Sequence, residues 1–340
     1  MNALLKTSLH GLRDNVLPMI SLTRYGGREG SMLLAGEERW SRYLHRRFFA
    51  GETVKEPLGS FRTWQVPAAL RKHRHSADIT VARVDLLSRR FFPVGEYLRV
   101  PDWVRIVAPV PTSNAVFTSS SARSDMRYIA KQGLTWSVSH LPSDLEIHLA
   151  RDYAPYTRLR HGGDAFVHSK SQIRKLFRQG GLLVVKKEGK PIAGLVFETR
   201  GTTLRMWTIA CANGDPAHLN SRALAAIYSF SFEYARSLGL AFVDMRGCRP
   251  STTDKLFFVK QKWGGVVREN PEIAFDYLVH WPKPNHAVVQ FFSRSPLIFR
   301  DGRNLSLLAA DPALHREKAQ QVKLARVVGP EEWSGESRMT

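Results

Sequence analysis

The sequence predicts an α/β chain of the α+β kind: a mixed, mainly antiparallel sheet that takes in one βαβ crossover, flanked by helices and preceded by a smaller αβ unit. Three observations predict it. Residues 182–201 hold two apolar runs, LLVVKKEG and PIAGLVFETRG, about a turn at residues 188–190, which is a hairpin. Past Gly201 a third strand, TLRMWTIAC, precedes apolar residues at helical spacing, Leu219, Ala223, Leu224, Ile227, Phe230, Tyr234 and Leu238, up to Gly239. The next run, AFVDM, is short, apolar and β-rich enough for a buried parallel strand, and strand, helix and strand within about forty residues make a crossover.

Residues 1–117 are read as a first, smaller αβ division. The opening stretch interrupts its apolar residues with Lys6, His10, Arg13 and Asp14, so it lacks the core of a signal peptide, and a cytoplasmic location is expected. Arg39, Trp40, Arg42, Tyr43, His45, Arg46, Arg47, Phe48 and Phe49 interleave cations with aromatics. That suits an amphipathic helix with a charged outer face, and also stacking on bases beside phosphates. The run RKHRH at residues 71–75 reads as a solvated loop. ITVARVDLL then alternates as a strand, and DWVRIVAPVPTSNAVF adds β-branched residues with breaking prolines.

The second division, residues 118–282, starts on serines that can cap a basic helix with Met126, Ile129 and Ala130 inward. TWSVSHL is a short strand. SDLEIHLARDYAPYTRLRH reads as a helix strained or ended around Pro155, and SKSQIRKLFRQGG as a second with Ile173, Leu176 and Phe177 on one face. The hairpin and crossover follow, with Asp215 or Asn220 as cap of the crossover helix. KLFFVKQKWGG is a short helix stopped at Gly264 and Gly265, with Trp263 as packing. Residues 283–340 hold AVVQFF and SPLIFRDGRNLSLL, a packing arm, and a polar tail.

A total of 50 Lys and Arg against 30 Asp and Glu leaves a formal net charge of +20, more than solubility needs. Such an excess suits a polyanion as partner, whether a nucleic acid such as tRNA, a phosphorylated donor or an anionic membrane surface in peripheral contact, and equally suits a merely basic surface. No apolar run approaches about eighteen residues, which excludes an ordinary transmembrane helix. Cys211 and Cys248 offer neither a disulfide framework nor a zinc set, so no metal site is expected. No G-x-G-x-x-G follows a predicted strand, which sets aside a Rossmann oxidoreductase.

The crossover makes a site by its geometry. A helix starting near Leu219 points unpaired N–H groups and a positive dipole end past the strand ending at Cys211, where a phosphate fits, with Asn220 and Arg222 beside it. Glu198, Asp244 and Asp276 are the carboxylates considered as general base for an attacking amine. Asp244, between Val243 and Met245, is the foremost; its alternative is a structural pair with Arg246. The two thiols are packing residues or, less simply, acyl carriers.

Several strings resemble the GNAT superfamily of acyltransferases, and more closely its FemAB-like and CelD-like branch. They are SARSDMRYIAKQGL, RLRHGG, LLVVKKEGKPIAG, VDMRG and KLFFVKQKWGG, and the resemblance covers residues 118–280. It implies that a splayed pair of central strands admits an activated acyl donor, whose carbonyl is held by backbone N–H groups of TLRMWTIAC, at Trp207, Thr208 and Ile209. It places Arg160 and His161 toward the acceptor and Lys260, with Arg246, toward a phosphate, and it leaves open a tandem in which the first division is a degenerate half. The implied activity is N-acyl transfer to an amine acceptor by direct attack, with no tightly bound cofactor and with acyl-CoA or aminoacyl-tRNA as co-substrate. Coenzyme A-dependent members carry a glycine-rich pyrophosphate loop before the long helix, whereas ANGDPAHLNSRAL offers only Gly214; FemAB-like proteins use aminoacyl-tRNA and lack the loop. The alternative is a catalytically silent GNAT-like module that binds RNA or an anionic membrane.

Overall fold

The computed structural model describes residues 19–113, 117, 119–162 and 167–332, without the side chains of residues 38–41, 161 and 216. Expectations on residues 1–18, on the side chains of Arg39 and Trp40, and on the end of the tail lie outside the described residues.

The chain opens on β1 (Met19–Gly27) and β2 (Gly30–Ala35), then α1 (Glu38–Phe48), β3 (Val54–Arg62), α2 (Val66–His73), β4 (Ile79–Val84) and β5 (Leu98–Pro101). The cation-aromatic stretch is helix α1, which buries Leu44 and Phe48. The run at residues 71–75 is not a loop. Arg71, Lys72 and His73 close α2, where cations meet the negative dipole end, and a 3-10 turn follows.

β6 (Val104–Pro109) leads to α3 (Ser120–Lys131), whose cap is the Ser119 hydroxyl accepting from the Ala122 N–H. Ala122, Asp125 and Ile129 face inward, Met126 is half-buried, and Ala130, expected inside, is exposed. β7 (Thr135–Ser139) precedes α4 (Pro142–Ile147) and α5 (Ala154–His161). Between them, just before Pro155, six residues (His148–Tyr153) wind as a π-helix. Proline lacks an N–H and its ring clashes with the carbonyl one turn back, so the ladder widens there. α6 (Lys170–Phe177) buries Ile173, Leu176 and Phe177 as expected. β8 (Gly180–Lys187) and β9 (Lys190–Arg200) form the hairpin, with Glu188 (φ 51°) and Gly189 (φ 75°) in the left-handed pair that suits strand twist.

β10 (Thr203–Cys211) is followed by a crossover that is two helices. Asp215 caps α7 (Pro216–Asn220) by accepting from the Ala217 N–H; Arg222 then turns left-handed (φ 62°), and α8 (Ala223–Ser237) starts anew. The long helix therefore begins at Ala223, not near Leu219, and Asn220 is not its cap. Leu219 and Leu238 fall outside α8 and are exposed, while α8 is buried over most of its circumference, so an amphipathic stripe misjudges its ends. β11 (Phe242–Cys248), α9 (Lys255–Gln261), β12 (Val266–Arg268), β13 (Asp276–His280), α10 (His286–Arg294), β14 (Leu297–Asp301), β15 (Asn304–Leu308), α11 (Pro312–Gln321) and β16 (Val327–Val328) complete the chain.

Two compact units result. One takes the described residues up to Val104, then Cys248–Phe258 and those from Val267 onward; the other takes Arg105–Gly247 and Val259–Val266. The first is built on a six-stranded sheet, β3-β1-β2-β4-β13-β5, in which β2 and β4 run parallel. Tyr25, Phe48, Tyr277, Phe291 and Phe299 share one of its cores, and Leu33, Leu70, Val84 and Leu278 another. Compactness thus divides the chain differently from the expected divisions at 117 and 282. β13 inserts between β4 and β5, and the arm after it is core, because Phe291, Phe292, Leu297 and Phe299 are buried there.

The second unit carries the mixed sheet β12-β6-β11-β10-β9-β8-β7, with β7 to β10 antiparallel in turn and β10 parallel to β11. This is the GNAT-like architecture that the sequence predicts. Trp263 packs within it against Phe117, Tyr228 and Phe232. Among the described residues, no helix is long and apolar enough to cross a membrane, and no cluster of three or more His, Cys, Asp or Glu stands ready for a metal.

Candidate functional site

The parallel ladder between β10 and β11 is short. It pairs Thr203 with Phe242, Leu204 with Val243 and Arg205 with Asp244, and ends there, although β10 continues to Cys211 and β11 to Cys248. On its other side β10 stays paired with β9 as far as Cys211, but the register shifts between Met206 and Thr208 and leaves Trp207 as the extra residue of a bulge. The two strands fork, and Trp207, Thr208 and Ile209 occupy the open length of β10.

Two polar atoms on that length have no partner. Thr208 is fully buried and its Oγ1 has no hydrogen bond; the same holds for Nε1 of half-buried Trp207. Arg246, left-handed at φ 66°, reaches across from β11 and lays its guanidinium over the Trp207 ring, 3.8 Å from the centroid. The His168 ring meets Trp207 edge-on at 5.8 Å.

The crotch of the fork is a charge cluster. Register places Glu198 opposite Arg205 and Arg205 opposite Asp244. Arg205 Nη1 donates to Glu198 Oε1 at 2.7 Å, and Arg205 Nε donates to Asp244 Oδ2 at 3.3 Å. Arg105 Nε lies 3.4 Å from the same Asp244 oxygen and Arg246 Nη1 lies 3.7 Å from it, while Asp244 Oδ1 accepts the Arg246 N–H at 2.8 Å. Of the two expectations for Asp244 the structural pair holds, with Arg205, Arg105 and Arg246 all on its carboxylate, and Asp244 and Glu198 clamp the last rung before the strands part. Arg205 and Arg105 escaped the sequence reading. An arginine inside the otherwise apolar TLRMWTIAC was the available signal, since a guanidinium in a buried strand requires an anion beside it.

The remaining residues scatter. Buried Lys260 donates to the carbonyls of Arg246 (3.2 Å) and Gly247 (2.6 Å), so its ammonium braces the β11 bend instead of facing a phosphate. Arg222 Nη1 lies 3.1 Å from Oδ1 of buried Asp125, to which Lys262 also donates; the anion answering Arg222 is a side chain. Asn220 is exposed, and no side chain caps α8. Arg160 donates to the Tyr156 hydroxyl at 2.5 Å. The His161 side chain lies outside the described residues. Asp276 belongs to the other unit. A Cβ on Gly214 (φ 68°) would sit 3.3 Å from the Tyr156 Cα, so that glycine serves a close approach of loop and helix. Burial pushes the Cys211 thiol up to about 12, against the pull of Arg160, so it keeps its proton.

The π-helical turn adds a group that the sequence did not signal. His148 Nδ1 lies 3.4 Å from Asp152 Oδ2, both residues are buried, and Asp152 also accepts from Arg151 Nε (2.7 Å) and the Asn213 N–H (3.2 Å). A Cβ on Gly194 would meet His148 Nδ1 at 2.8 Å, so that glycine seats the ring against β9.

The sheet forks beyond its parallel β10–β11 crossover, as a GNAT-like fold is expected to. Solved structures similar to the chain include L-PGS from Bacillus licheniformis, at 14% identity over 76% of this chain and 80% of that one, with a TM-score of 0.39. FemX is similar at 14% identity over 81% and 89%, TM-score 0.39. A GCN5-related N-acetyltransferase from Kribbella flavida is similar at 15% identity over 83% and 96%, TM-score 0.26. No protein-family model and no curated protein matches the chain.

Proposed function

We propose that the chain transfers an acyl or aminoacyl group from an activated carrier to an amine in the fork between β10 and β11. The observation that carries this reading is the end of the β10–β11 ladder at Arg205–Asp244, together with the bulge at Trp207. A bulge takes one residue out of the ladder and re-aims its neighbours. A backbone donor of β10 aimed into the fork would meet the carbonyl oxygen as it gains charge during attack, and one such donor lowers the barrier by about 3 kcal/mol. Holding carrier and amine side by side contributes about 7–11 kcal/mol when alignment is good. The amine nitrogen bonds to the carbonyl carbon, the bond to the carrier sulfur or ribose oxygen breaks, and the proton from nitrogen passes to that leaving atom. This route asks no free base of Glu198 or Asp244, whose oxygens are engaged by guanidiniums. Arg246 and Trp207 form the wall of the fork.

The test is mass-detected transfer from acyl-CoAs and from charged tRNAs to a panel of amines. Arg246→Ala and Trp207→Ala, with circular dichroism unchanged, are expected to lower transfer about 10–100-fold. Ribonuclease-sensitive transfer assigns aminoacyl-tRNA as donor; turnover with acetyl-CoA assigns the thioester. One observation favours a second reading: both candidate bases are locked in ion pairs. A silent module would bind RNA or anionic vesicles in a salt-dependent way and transfer nothing.

A further inference from the structure

Asp276, at the start of β13, receives three guanidiniums from three separate elements. Its Oδ2 accepts from Arg99 Nη2 of β5 at 2.9 Å and lies 3.7 Å from Nη1 of Arg89, in the turn Ser88–Phe91. Its Oδ1 accepts from Arg300 Nε of β14 at 3.1 Å, and Arg300 Nη1 donates to Glu269. Two carboxylates thus answer three guanidiniums, and Arg90, in the same turn as Arg89, adds a further cation.

Donors remain after these pairs are made. Arg99 Nε is buried and has no acceptor, while the Arg89 and Arg99 side chains are 33% and 37% exposed. The cations also oppose one another. Burial, then Arg99, lowers the proton affinity of Arg89 below that of an ordinary arginine, with Arg300 and Arg90 adding to the effect and Asp276 acting against it. A solvated basic rim explains exposed tips. It does not explain a buried donor without an acceptor, or three elements converging on one carboxylate.

We propose that Arg89, Arg99 and Arg300 form a binding site for a phosphate group, which competes with Asp276 for their donors. Guanidinium forks match the geometry of phosphate oxygens, and a dianion supplies both the missing charge and the missing acceptors. The cations converge on one carboxylate, which suits one discrete phosphate better than the spaced phosphates of a polynucleotide. Its bearer is a small phosphorylated molecule or a lipid headgroup.

Isothermal titration of the full chain with inorganic phosphate, against chloride at equal ionic strength, tests this. Saturable binding is expected. Arg89→Gln and Arg99→Gln should each weaken it about tenfold, and Asp276→Asn should strengthen it by removing the competing carboxylate. Arg89→Gln touches the longest contact and keeps the test valid if Asp276→Asn misfolds, with circular dichroism as the check. A flotation arm uses phosphatidylcholine vesicles with and without phosphatidic acid. Capture that free phosphate displaces assigns a headgroup, whereas phosphate binding without capture assigns a small molecule. Lack of saturation below about 10 mM phosphate, or affinity that Arg89→Gln and Arg99→Gln leave unchanged, overturns the proposal, as does binding of RNA without binding of phosphate.

Discussion

Each unit gathers arginines around a carboxylate, and the two clusters differ in what surrounds them. At the fork, Glu198 and Asp244 with Arg205 are nearly sealed from water, at 5%, 2% and 8% exposed, and the pairs register across three adjacent strands. Around Asp276 the arginines come from a turn, an edge strand and the β14–β15 hairpin, and two of them reach solvent. Buried charges must be matched, because an unmatched one carries the full desolvation penalty. Charges at a rim tolerate an excess, which solvent or a ligand can neutralise. The same residue types therefore brace one region and leave the other ready for an anion.

Arg205→Leu should break the comparison most sharply. It leaves two buried carboxylates facing each other across β10, and a loss of about 3–5 kcal/mol is expected in urea unfolding. A loss below about 1 kcal/mol would mean that the fork cluster is as dispensable as a surface pair. Asp276→Asn should cost less, about 1–2 kcal/mol, because its arginines are partly hydrated. Millimolar phosphate should restore part of that loss, read as a rise in Tm.

Salt sharpens the contrast further. In a double-mutant cycle, coupling between Arg99 and Asp276 should shrink toward zero at about 1 M NaCl, where the screening length is near 3 Å, while coupling between Arg205 and Asp244 should persist. The smallest effect concerns histidines, of which His168 is perturbed in one unit and His280 and His315 in the other. Burial lowers His168 below its ordinary 6.5, with Arg246 adding and Gln172 opposing. Burial also lowers His280, with Arg74 and His75 adding and Glu96 opposing. A histidine whose folded pKa is depressed binds fewer protons folded than unfolded just below pH 6.5, so its contribution is full above that value and is lost as pH falls toward the folded pKa. Tm should decline below pH 6.5. His280→Gln and His168→Gln should each flatten that decline, and an unchanged profile would count against burial as the cause.

The sequence by itself determined the elements whose signals are local. The hairpin turn at Glu188 and Gly189, the stop at Gly239, the serine cap at Ser119 and the βαβ order all follow from dihedral preference, side-chain reach and apolar period. It also placed Trp207, Thr208 and Ile209 on the strand that forks. Only the tertiary structure decided the rest, because each remaining feature depends on a partner far along the chain. Arg205 needs Asp244 39 positions later, Arg222 needs Asp125, and β13 finds its place between β4 and β5, pairing Asp276 with Val84 and Pro101. An ionisable side chain carries no local sign of whether its counter-charge is a neighbour or a ligand. That choice is made by burial, which consumed Lys260 and Asp244 as braces and left the arginines around Asp276 in excess.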